Sequence, residues 1–377
     1  MKIAKIEVFA LRVPPKDGNV EVEWGMDCSL VKITTDNGIV GWGETDSNPA
    51  IIKTIFDMPT SHYLSYSLKD LLIGENPLDI ERLWNKMYLK TLHYGRSGVG
   101  IHAISAVDIA LWDIAGKYYN VPVYQLLGGK YRDKIKTYGT FIPYEDLDKT
   151  VETAKRSLID GGFDTLKFGG TPFGLEEKYD IESVRRLREA LGEDVGLAVD
   201  VSKLWPDYGT ALSRMKKLEQ YNLAWVEEPC LATDYESYRR LASQVKTKIS
   251  GGEALTTVRE FNDFMRIARP AIVQPDVTNC GGITEMKRIN MLAELNSCKL
   301  IPHNYGSGVL LSATMHCLAS FQHGDTMEYS NSLSPFFRDL DRNLVRSVNG
   351  YVTVPDRPGL GVDIDEDVIK EYSFTWE

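Results

Sequence analysis

The sequence has few of the features that tie a chain to an oxidising compartment, a membrane or nucleic acid. Its five cysteines form no C-x-x-C pair and are odd in number, which favours reduced thiols and a cytoplasmic location. No apolar run approaches the length of about 18 residues that a membrane span needs, and the first residues show no signal-peptide cleavage pattern. The formal net charge of -10 argues against nucleic acid or an anionic membrane as a partner.

The composition is that of an ordinary globular protein, with 43% hydrophobic and 25% charged residues. A length of 377 residues suits about two domains. Residues 3–13 alternate like a strand, and residues 30–44 carry a hairpin signature around the turn D-N-G. Residues 47–118 are helical in pattern, and Gly116 is expected near the end of the last helix. The first part of the chain is therefore predicted to be an α+β domain.

The rest of the chain alternates short apolar runs with amphipathic helical segments, a pattern that predicts a parallel sheet closed into a barrel. We predict an α+β capping domain over residues 1–125, completed by a C-terminal segment of about 350–377, and a (β/α) barrel over residues 126–349. The fold class is α/β, with a modified (β/α)8 TIM-like barrel. Its eight strands are predicted at KTYGTF, DTLKF, VGLAVD, LAWVE, TKIS, AIVQP, KLIP and DTME.

Ionisable residues occur at nearly even intervals along these strands. Seven of them lie at or just beyond the end of an apolar run, 23 to 33 residues apart. Because the carboxyl ends of barrel strands meet on one face, we expect these side chains to converge there. The seven residues are Lys167, Asp200, Glu227, Glu253, Asp276, His303 and Glu328.

Three successive carboxylates, Asp200, Glu227 and Glu253, indicate a metal site. Without a cation they would repel one another, and at least one would take up a proton. Ligation by oxygen alone suits Mg²⁺ better than zinc. For any one of them, capping of the following helix is the plain alternative, but three in successive units favour the metal.

Asp276 and His303 end neighbouring strands, so their side chains are expected to touch. A buried carboxylate would orient the imidazole and raise its pKa, making His303 a better proton acceptor. Glu328 follows on the next strand and would donate a hydrogen bond to a developing oxyanion if burial keeps it protonated. His316 and His323 are expected to be packing or surface residues.

Short motifs of distinctive composition occur along nearly the whole chain. They are GWGE (41–44), SAVDIALWDIAGK (105–117), LLGG (126–129), WVEEP (225–229), GGE (251–253), QPD (274–276), GGIT (281–284), PHNYGSG (302–308) and ME (327–328). Together these motifs resemble the enolase superfamily, and within it the mandelate racemase-like subgroup. The resemblance implies Asp200, Glu227 and Glu253 as ligands of one Mg²⁺ per subunit, Asp276 and His303 as an acid/base pair, and Glu328 as a carboxylate partner.

The sequence departs from this family at two places. The family usually has K-x-K on the second barrel strand, whereas this chain has Lys167-Phe168-Gly169. A racemase needs bases on both faces of the α-carbon, so the missing lysine disfavours racemisation. Lys167 is expected near the substrate carboxylate or as a base reaching across, with an ordinary strand-end cation as the alternative. The family's D-x-N is here Asp200-Val201-Ser202-Lys203, and Lys203 is either a cation at the mouth or a solvated side chain.

The resemblance implies a lyase that removes the proton α to a carboxylate and eliminates water from a sugar acid, an aldonate or aldarate, to give a 2-keto-3-deoxy acid. A cycloisomerase of a sugar-acid lactone or anhydro sugar acid is the first alternative, and a racemase or epimerase is less favoured. A catalytically impaired ligand-binding relative is the non-enzyme alternative. The expected partners are a small carboxylate substrate and further copies of the chain in a homo-oligomer. Expected substrate contacts are Trp24, Tyr138, Ser202, Lys203 and Tyr305, with loops 15–28 and 45–65 as lids.

Overall fold

The computed structural model describes residues 1–14 and 26–376. The chain begins with an antiparallel sheet of strands β1 (Ile3–Val13), β2 (Met26–Thr35) and β3 (Val40–Thr45), in the order β1-β2-β3. The alternating pattern places one face of this sheet inward, and the D-N-G turn joins β2 to β3, as predicted.

Helices follow the sheet and pack against it. The longest of them begins after Gly98 and ends at Tyr119, where Asn120 adopts a left-handed conformation with φ 56° and closes the helix. The predicted end at Gly116 is therefore wrong. Gly116 is a glycine for another reason, because a Cβ there would lie 2.6 Å from the Cα of Gly359. The five helices are α1 (Pro49–Asp57), α2 (Leu68–Leu72), α3 (Ile80–Lys90), α4 (Val99–Tyr119) and α5 (Val123–Leu126).

The structure bears on two expectations from composition, one about membrane spans and one about cysteines. Helix α4 is long and apolar enough to span a membrane, but 83% of its most apolar window is buried inside the protein, as in a core helix. All five cysteines are buried and unpaired, which agrees with the expectation of reduced thiols.

Eight parallel strands form the barrel, in the order β11-β4-β5-β6-β7-β8-β9-β10. Hydrogen bonds join every neighbouring pair in this order, and none joins β10 to β11 across residues 299–330. Each predicted strand is present, so the predicted TIM-like barrel is confirmed. The strands are β4 (Lys134–Phe141), β5 (Thr165–Gly169), β6 (Gly196–Asp200), β7 (Val226–Glu227), β8 (Ile249–Gly251), β9 (Ile272–Val273), β10 (Lys299–Leu300) and β11 (Thr326–Ser330).

Amphipathic helices connect the strands and cover the barrel. Several begin at a side chain that accepts a hydrogen bond from the first turn, such as Asp146, Asp207, Asp234 and Ser307. The helices are α6 (Leu147–Gly161), α7 (Glu177–Leu191), α8 (Tyr208–Leu218), α9 (Tyr235–Ala242), α10 (Thr257–Asp263), α11 (Gly282–Leu295), α12 (Gly308–Ser320), α13 (Pro335–Arg338) and α14 (Glu366–Tyr372).

The last part of the chain returns to the first sheet. Strand β12 (Tyr351–Thr353) pairs antiparallel with β4. Beyond it, the backbone N–H of Phe374 donates to the carbonyl of Ala10 at 3.0 Å, and Lys32 pairs with Glu366 at 2.6 Å. The chain end therefore packs on the N-terminal sheet, while the domain boundaries given above stay predictions.

Buried carboxylates of the N-terminal motifs fasten the capping domain to the barrel. Glu44 accepts hydrogen bonds from the backbone N–H groups of Ser307 at 2.8 Å and Leu310 at 3.0 Å, at the first turn of α12. Asp108 accepts from the backbone N–H of Thr284 at 2.9 Å, near the start of α11. Both carboxylates thus satisfy N–H groups at a helix start and orient the barrel loops beside them.

His316 lies in α12 with no exposed surface. Its Nδ1 accepts from the backbone N–H of Tyr124 at 3.3 Å, and its Nε2 donates to the carbonyl of Leu360 at 3.1 Å. Burial lowers the pKa of His316 to about 4, because the charged imidazolium would lose its hydration. The expectation of a packing role is met.

His316 is therefore expected to make the fold sensitive to acid. Between about pH 6.5 and pH 4 the unfolded chain binds a proton that the folded chain refuses, so this residue should remove about 2 to 3 kcal/mol of unfolding free energy as the pH falls. His316→Gln keeps a donor and an acceptor but cannot be protonated, so its stability should vary less over this range. Urea denaturation at a series of pH values measures this, with the exposed His62→Gln as control. Parallel curves for wild type and His316→Gln would contradict it.

Candidate active site

The structure brings all seven predicted residues to the C-terminal end of the barrel. Asp200 and Glu227 are the last residues of β6 and β7 and stand side by side in the sheet. Glu253, Asp276 and His303 lie two or three residues beyond β8, β9 and β10. The remaining two, Lys167 and Glu328, are the third residues of β5 and β11.

One carboxylate oxygen from each of Asp200, Glu227 and Glu253 lies within 4.8 Å of the other two. Glu227 is 1% exposed, and its Oε2 accepts a hydrogen bond from Gln274 Nε2 at 2.5 Å. Asp200 Oδ1 accepts from the backbone N–H of Ser202 at 2.7 Å. Gln274 was not predicted as a site residue, although it belongs to the motif QPD that precedes Asp276. These donors fix the orientation of the Glu227 and Asp200 carboxylates.

The charge of this trio is only partly balanced. Burial raises the pKa of Glu227 to about 7, with Lys167 opposing the shift and Asp200 adding to it. Burial also raises the pKa of Asp200. Glu253 differs, because His303 and Lys203 outweigh its burial and lower its pKa to about 2. Octahedral bonds of about 2.1 Å would place ligand atoms about 3 to 4 Å apart, so this all-oxygen set fits a small divalent cation such as Mg²⁺ after a slight contraction.

Lys167 is 3% exposed and lies between two carboxylates. Its Nζ is 2.7 Å from Glu227 Oε1 and 3.0 Å from Glu328 Oε1. Burial alone would lower the pKa of Lys167, but these two charges raise it well above its ordinary value. Lys167 is therefore a buried cation paired with two carboxylates and not an ordinary cation at a strand end, while its expected catalytic role stays a prediction.

Glu328 corrects a further expectation. Burial would raise its pKa, but Lys167 and His303 outweigh that effect and lower it. Its Oε2 accepts a hydrogen bond from the backbone N–H of Asn304 at 3.0 Å. Glu328 is thus an ionised acceptor and not the protonated donor expected from its burial. The sequence did not show that Lys167 reaches across to it.

Asp276 and His303 are in contact, as predicted. His303 Nδ1 lies 2.7 Å from Asp276 Oδ2, and Asp276 Oδ1 accepts from both the backbone N–H and the hydroxyl of Thr278, at 2.7 and 2.6 Å. His303 Nε2 lies 3.4 Å from Glu253 Oε2. Burial would lower the pKa of His303, but Glu253 and Asp276 raise it well above its usual value. The imidazole is thus oriented with Nδ1 on Asp276 and Nε2 toward the carboxylates.

Gly169 leaves no room for a second base. It is the last residue of β5 and pairs with Asp200. A Cβ at this position would lie 2.2 Å from the backbone oxygen of Asp200 and 2.4 Å from its Cβ. Any side chain at 169 therefore requires Asp200 to move.

Lys203 reaches the site in a strained conformation. Ser202 and Lys203 have φ angles of 51° and 65°, which residues with a Cβ rarely adopt. The Lys203 Nζ lies 2.5 Å from Glu228 Oε2 and 2.9 Å from Glu253 Oε1. Lys203 is therefore an ion-paired cation at the mouth and not a solvated side chain.

Three further residues, Tyr138, Tyr305 and Trp24, were expected to contact the substrate. Tyr138 is 1% exposed and meets the ring of Trp225 edge-on, with centroids 5.1 Å apart, inside the barrel. Tyr305 is half-buried, and its ring lies 4.9 Å from that of Phe337. Trp24 lies outside the described residues. Substrate contacts for all of them stay predictions.

Comparison with known proteins places this site in a family. Residues 149–368 match the family model described as enolase C-terminal domain-like. Residues 13–128 match that of the mandelate racemase / muconate lactonizing enzyme N-terminal domain. The chain is 36% identical over 357 residues to an arabinonate dehydratase of Saccharolobus solfataricus, covering 93% of this chain and 91% of the relative. It is 31% identical over 362 residues to a D-galactarolactone cycloisomerase of Agrobacterium fabrum, covering 91% and 90%.

Solved structures agree with these matches. The 3,6-anhydro-D-galactonate cycloisomerase from Zobellia galactanivorans superposes with a TM-score of 0.90 at 33% identity, over 100% of both chains. A racemase from Streptomyces coelicolor with bound magnesium gives a TM-score of 0.86 at 30% identity, over 99% of this chain and 100% of that one. The chain is therefore an enzyme that belongs to the mandelate racemase / muconate lactonizing enzyme family of the enolase superfamily.

Proposed function

We propose that this enzyme is a Mg²⁺-dependent sugar-acid dehydratase. It would remove the proton α to a carboxylate and eliminate the β-hydroxyl as water, giving a 2-keto-3-deoxy acid. The observation that carries the proposal is the oriented base His303 beside the carboxylate cage, which is formed by Asp200, Glu227 and Glu253. At Gly169 there is no space for a second base. Its similarity to an arabinonate dehydratase supports the same reaction class.

Asp200, Glu227 and Glu253 would hold one Mg²⁺. One oxygen of each lies within 4.8 Å of the others, and burial together with the charge of Asp200 raises the pKa of Glu227 to about 7. The clustered carboxylates therefore repel one another, and a divalent cation would offset that repulsion. When bound, Mg²⁺ supplies positive charge against the second negative charge that develops on the substrate carboxylate. The bound magnesium of the Streptomyces racemase supports this assignment.

The protein's own residues carry the proton steps. Asp276 holds Nδ1–H of His303. The raised pKa of His303 makes Nε2 a strong proton acceptor, and in its deprotonated form Nε2 takes the α-proton while the electron pair of the C–H bond moves into the carboxylate. The C–O bond at the β-carbon then breaks, and the imidazolium returns its proton to the departing hydroxyl to form water. The enol product tautomerises to the 2-keto acid. Lys167 adds a fixed positive charge beside the site throughout.

Cycloisomerisation is the second candidate. It uses the same proton abstraction by His303 but expels an internal oxygen in place of hydroxide. The similarity to the two cycloisomerases favours it specifically. Mass spectrometry with product NMR distinguishes the two reactions, because dehydration removes one water from the substrate whereas cycloisomerisation opens a ring and gives an isomer of equal mass.

A screen of aldonic and aldaric acids with Mg²⁺ in D₂O tests the proposal. We expect a 2-keto-3-deoxy product from at least one acid, loss of turnover with a chelator, and its return when Mg²⁺ is added back. Glu227→Gln should weaken Mg²⁺ binding in calorimetry by at least about tenfold, because it removes a charged ligand. Wild-type protein that binds no Mg²⁺ and converts no acid would instead identify an impaired ligand-binding relative.

A further inference from the structure

Three donors hold the carboxylate of Glu227, the second residue of the carboxylate cage. Lys167 Nζ donates to its Oε1 at 2.7 Å. Gln274 Nε2 and Trp225 Nε1 both donate to its Oε2, at 2.5 and 3.3 Å. Each of the four side chains is at most 6% exposed, so bulk water has little access to these bonds. Glu227 is therefore held in one orientation.

The fold places these donors around Glu227. Trp225 lies two residues before Glu227 on the same extended segment, so the two side chains face the same side. Gln274 follows β9, which is two strands from β7 in the barrel order. Its backbone N–H donates to the carbonyl of Gly251 in β8 at 2.9 Å. The backbone of Gln274 is thus fixed to β8, and its side chain reaches across to Glu227.

The amide of Gln274 can face Glu227 in one way only. With Nε2 toward the carboxylate it donates a hydrogen bond, whereas the amide oxygen in the same place would repel the carboxylate oxygen. The side chain of Gln274 is 1% exposed, so no alternative position in solvent competes. Gln274 is therefore a fixed donor to Oε2.

These donors leave Glu227 with one open acceptor position, counting donors from the described part of the chain. A carboxylate has about four lone-pair positions, two on each oxygen. Oε2 uses both of its positions for Gln274 and Trp225, and Oε1 uses one for Lys167. A metal ion can therefore bind Glu227 through Oε1 alone, unless a hydrogen bond to Oε2 breaks.

The other two carboxylates of the cage are held by fewer donors. Asp200 Oδ1 accepts from the backbone N–H of Ser202 at 2.7 Å, and Glu253 Oε1 accepts from Lys203 at 2.9 Å. Within residues 1–14 and 26–376, neither accepts a second hydrogen bond. Control over how a carboxylate meets the metal is thus concentrated on Glu227.

The number of oxygens that a carboxylate offers matters differently to different cations. Mg²⁺ needs six oxygens in near-octahedral geometry at about 2.0 to 2.1 Å, for which one oxygen from each carboxylate suffices beside substrate and water. Ca²⁺ takes about six to eight oxygens at about 2.3 to 2.6 Å and often uses both oxygens of a carboxylate. A Glu227 that withholds Oε2 therefore costs Ca²⁺ a ligand and costs Mg²⁺ none.

We infer that Gln274 is a positioning residue that determines metal selectivity. By occupying Oε2 it makes Glu227 a ligand through one oxygen, and the cage then favours Mg²⁺ over Ca²⁺. Trp225 acts in the same way through a longer bond. The inference rests on the proposed function, because it takes Asp200, Glu227 and Glu253 as the metal ligands.

Calorimetry with Mg²⁺ alone and with Ca²⁺ alone tests this on the full chain. Wild type should bind Mg²⁺ more tightly than Ca²⁺. Gln274→Leu, which keeps the side-chain volume and removes the donor, should reduce this preference by about tenfold, the usual effect of losing a group that orients a metal ligand. Gln244→Leu is the matched control, since Gln244 is exposed and donates to the hydroxyl of Tyr208 at 2.6 Å, and it should keep the wild-type preference.

Weaker binding of both ions by the same factor in Gln274→Leu, or equal binding of Mg²⁺ and Ca²⁺ by wild type, would overturn the inference. Thermal unfolding identifies a variant that does not fold. In that case Trp225→Phe, which keeps a packed ring and removes only the 3.3 Å bond, should show a smaller loss of preference in the same direction.

Turnover of sugar acids is measured separately from metal binding. Selective Mg²⁺ binding that depends on Gln274, without dehydration of any acid, would refute the proposed function and support the role of Gln274. A 2-keto-3-deoxy product together with an unchanged preference in Gln274→Leu would support the proposed function and overturn this inference.

Discussion

Replacing His303 with asparagine is expected to stop α-proton exchange and product formation together. The imidazole is the only group of the described site that combines an orienting carboxylate at 2.7 Å with a second nitrogen facing the carboxylate cage. Loss of a positioned general base lowers rates by about 10²- to 10⁴-fold. The rate of deuterium incorporation at the α-carbon, measured by NMR, and the kcat of product formation should therefore fall by similar factors.

The His303 variant needs a test that separates chemistry from binding. Mg²⁺ affinity should stay within a few-fold of wild type, because the three carboxylates remain. His323→Asn is a suitable control, since His323 Nε2 hydrogen-bonds the carbonyl of Cys298 at 2.7 Å, outside the site, and the substitution should leave both rates unchanged. Exchange that persists at the wild-type rate in His303→Asn would assign the base to another residue.

Asp276→Asn extends the same argument to the orienting group. An asparagine at this position can still face Nδ1, but it removes the negative charge that raises the pKa of His303. We expect kcat to fall while KM changes little, because Asp276 acts through the imidazole and not on the substrate. A change confined to KM would show that Asp276 affects substrate binding instead.

Much of this site was predictable because the spacing of its residues along the sequence equals the length of one strand–helix unit of the barrel. One acid or base per strand–helix unit gave the convergence of Asp200, Glu227 and Glu253, and of Asp276 with His303, before any coordinates. In a parallel barrel the C-terminal ends of all strands lie on one face, so the position of a residue at a strand end was enough to predict that these side chains converge.

The protonation states were not predictable in the same way. Whether Glu328 is charged depends on Lys167, which comes from a strand two positions away in the barrel order and 161 residues earlier in the chain. Gln274 was missed for a related reason. It is not ionisable, and its importance comes from the carboxylate that its side chain faces. Sequence spacing gives proximity of strands but not the direction of side chains across the barrel.

In the segment that departs from the family's D-x-N, Lys203 neutralises a buried carboxylate. Glu228 is fully buried, and an unpaired carboxylate in such a place is costly. The left-handed turn at Ser202 and Lys203 brings the ammonium to within 2.5 Å of Glu228. The ion pair offsets the strain of that turn, and Lys203, three residues after Asp200, becomes part of the charge balance of the site.

Introducing a side chain at Gly169 is expected to damage the metal site without creating a racemase. A Cβ there would be 2.2 Å from the backbone oxygen of Asp200, so Gly169→Ala should displace Asp200 and weaken Mg²⁺ binding by at least about tenfold. Overpacking of this kind costs about 1 to 3 kcal/mol of stability. Gly169→Lys restores the family's second lysine in sequence, yet it should show no inversion at the α-carbon.

Gly170→Ala is the matched control for this substitution. Gly170 has φ 77° and no atom within 4 Å of an added Cβ, so alanine there meets backbone strain of about 1 kcal/mol but no clash. It should lose some stability and keep its Mg²⁺ affinity. Chemical denaturation, Mg²⁺ calorimetry and chiral analysis of recovered substrate separate these effects. Wild-type Mg²⁺ affinity in Gly169→Ala, or inversion by Gly169→Lys, would show that β5 can accommodate a side chain at this position. The absence of the second lysine would then not be a consequence of how β5 packs against Asp200.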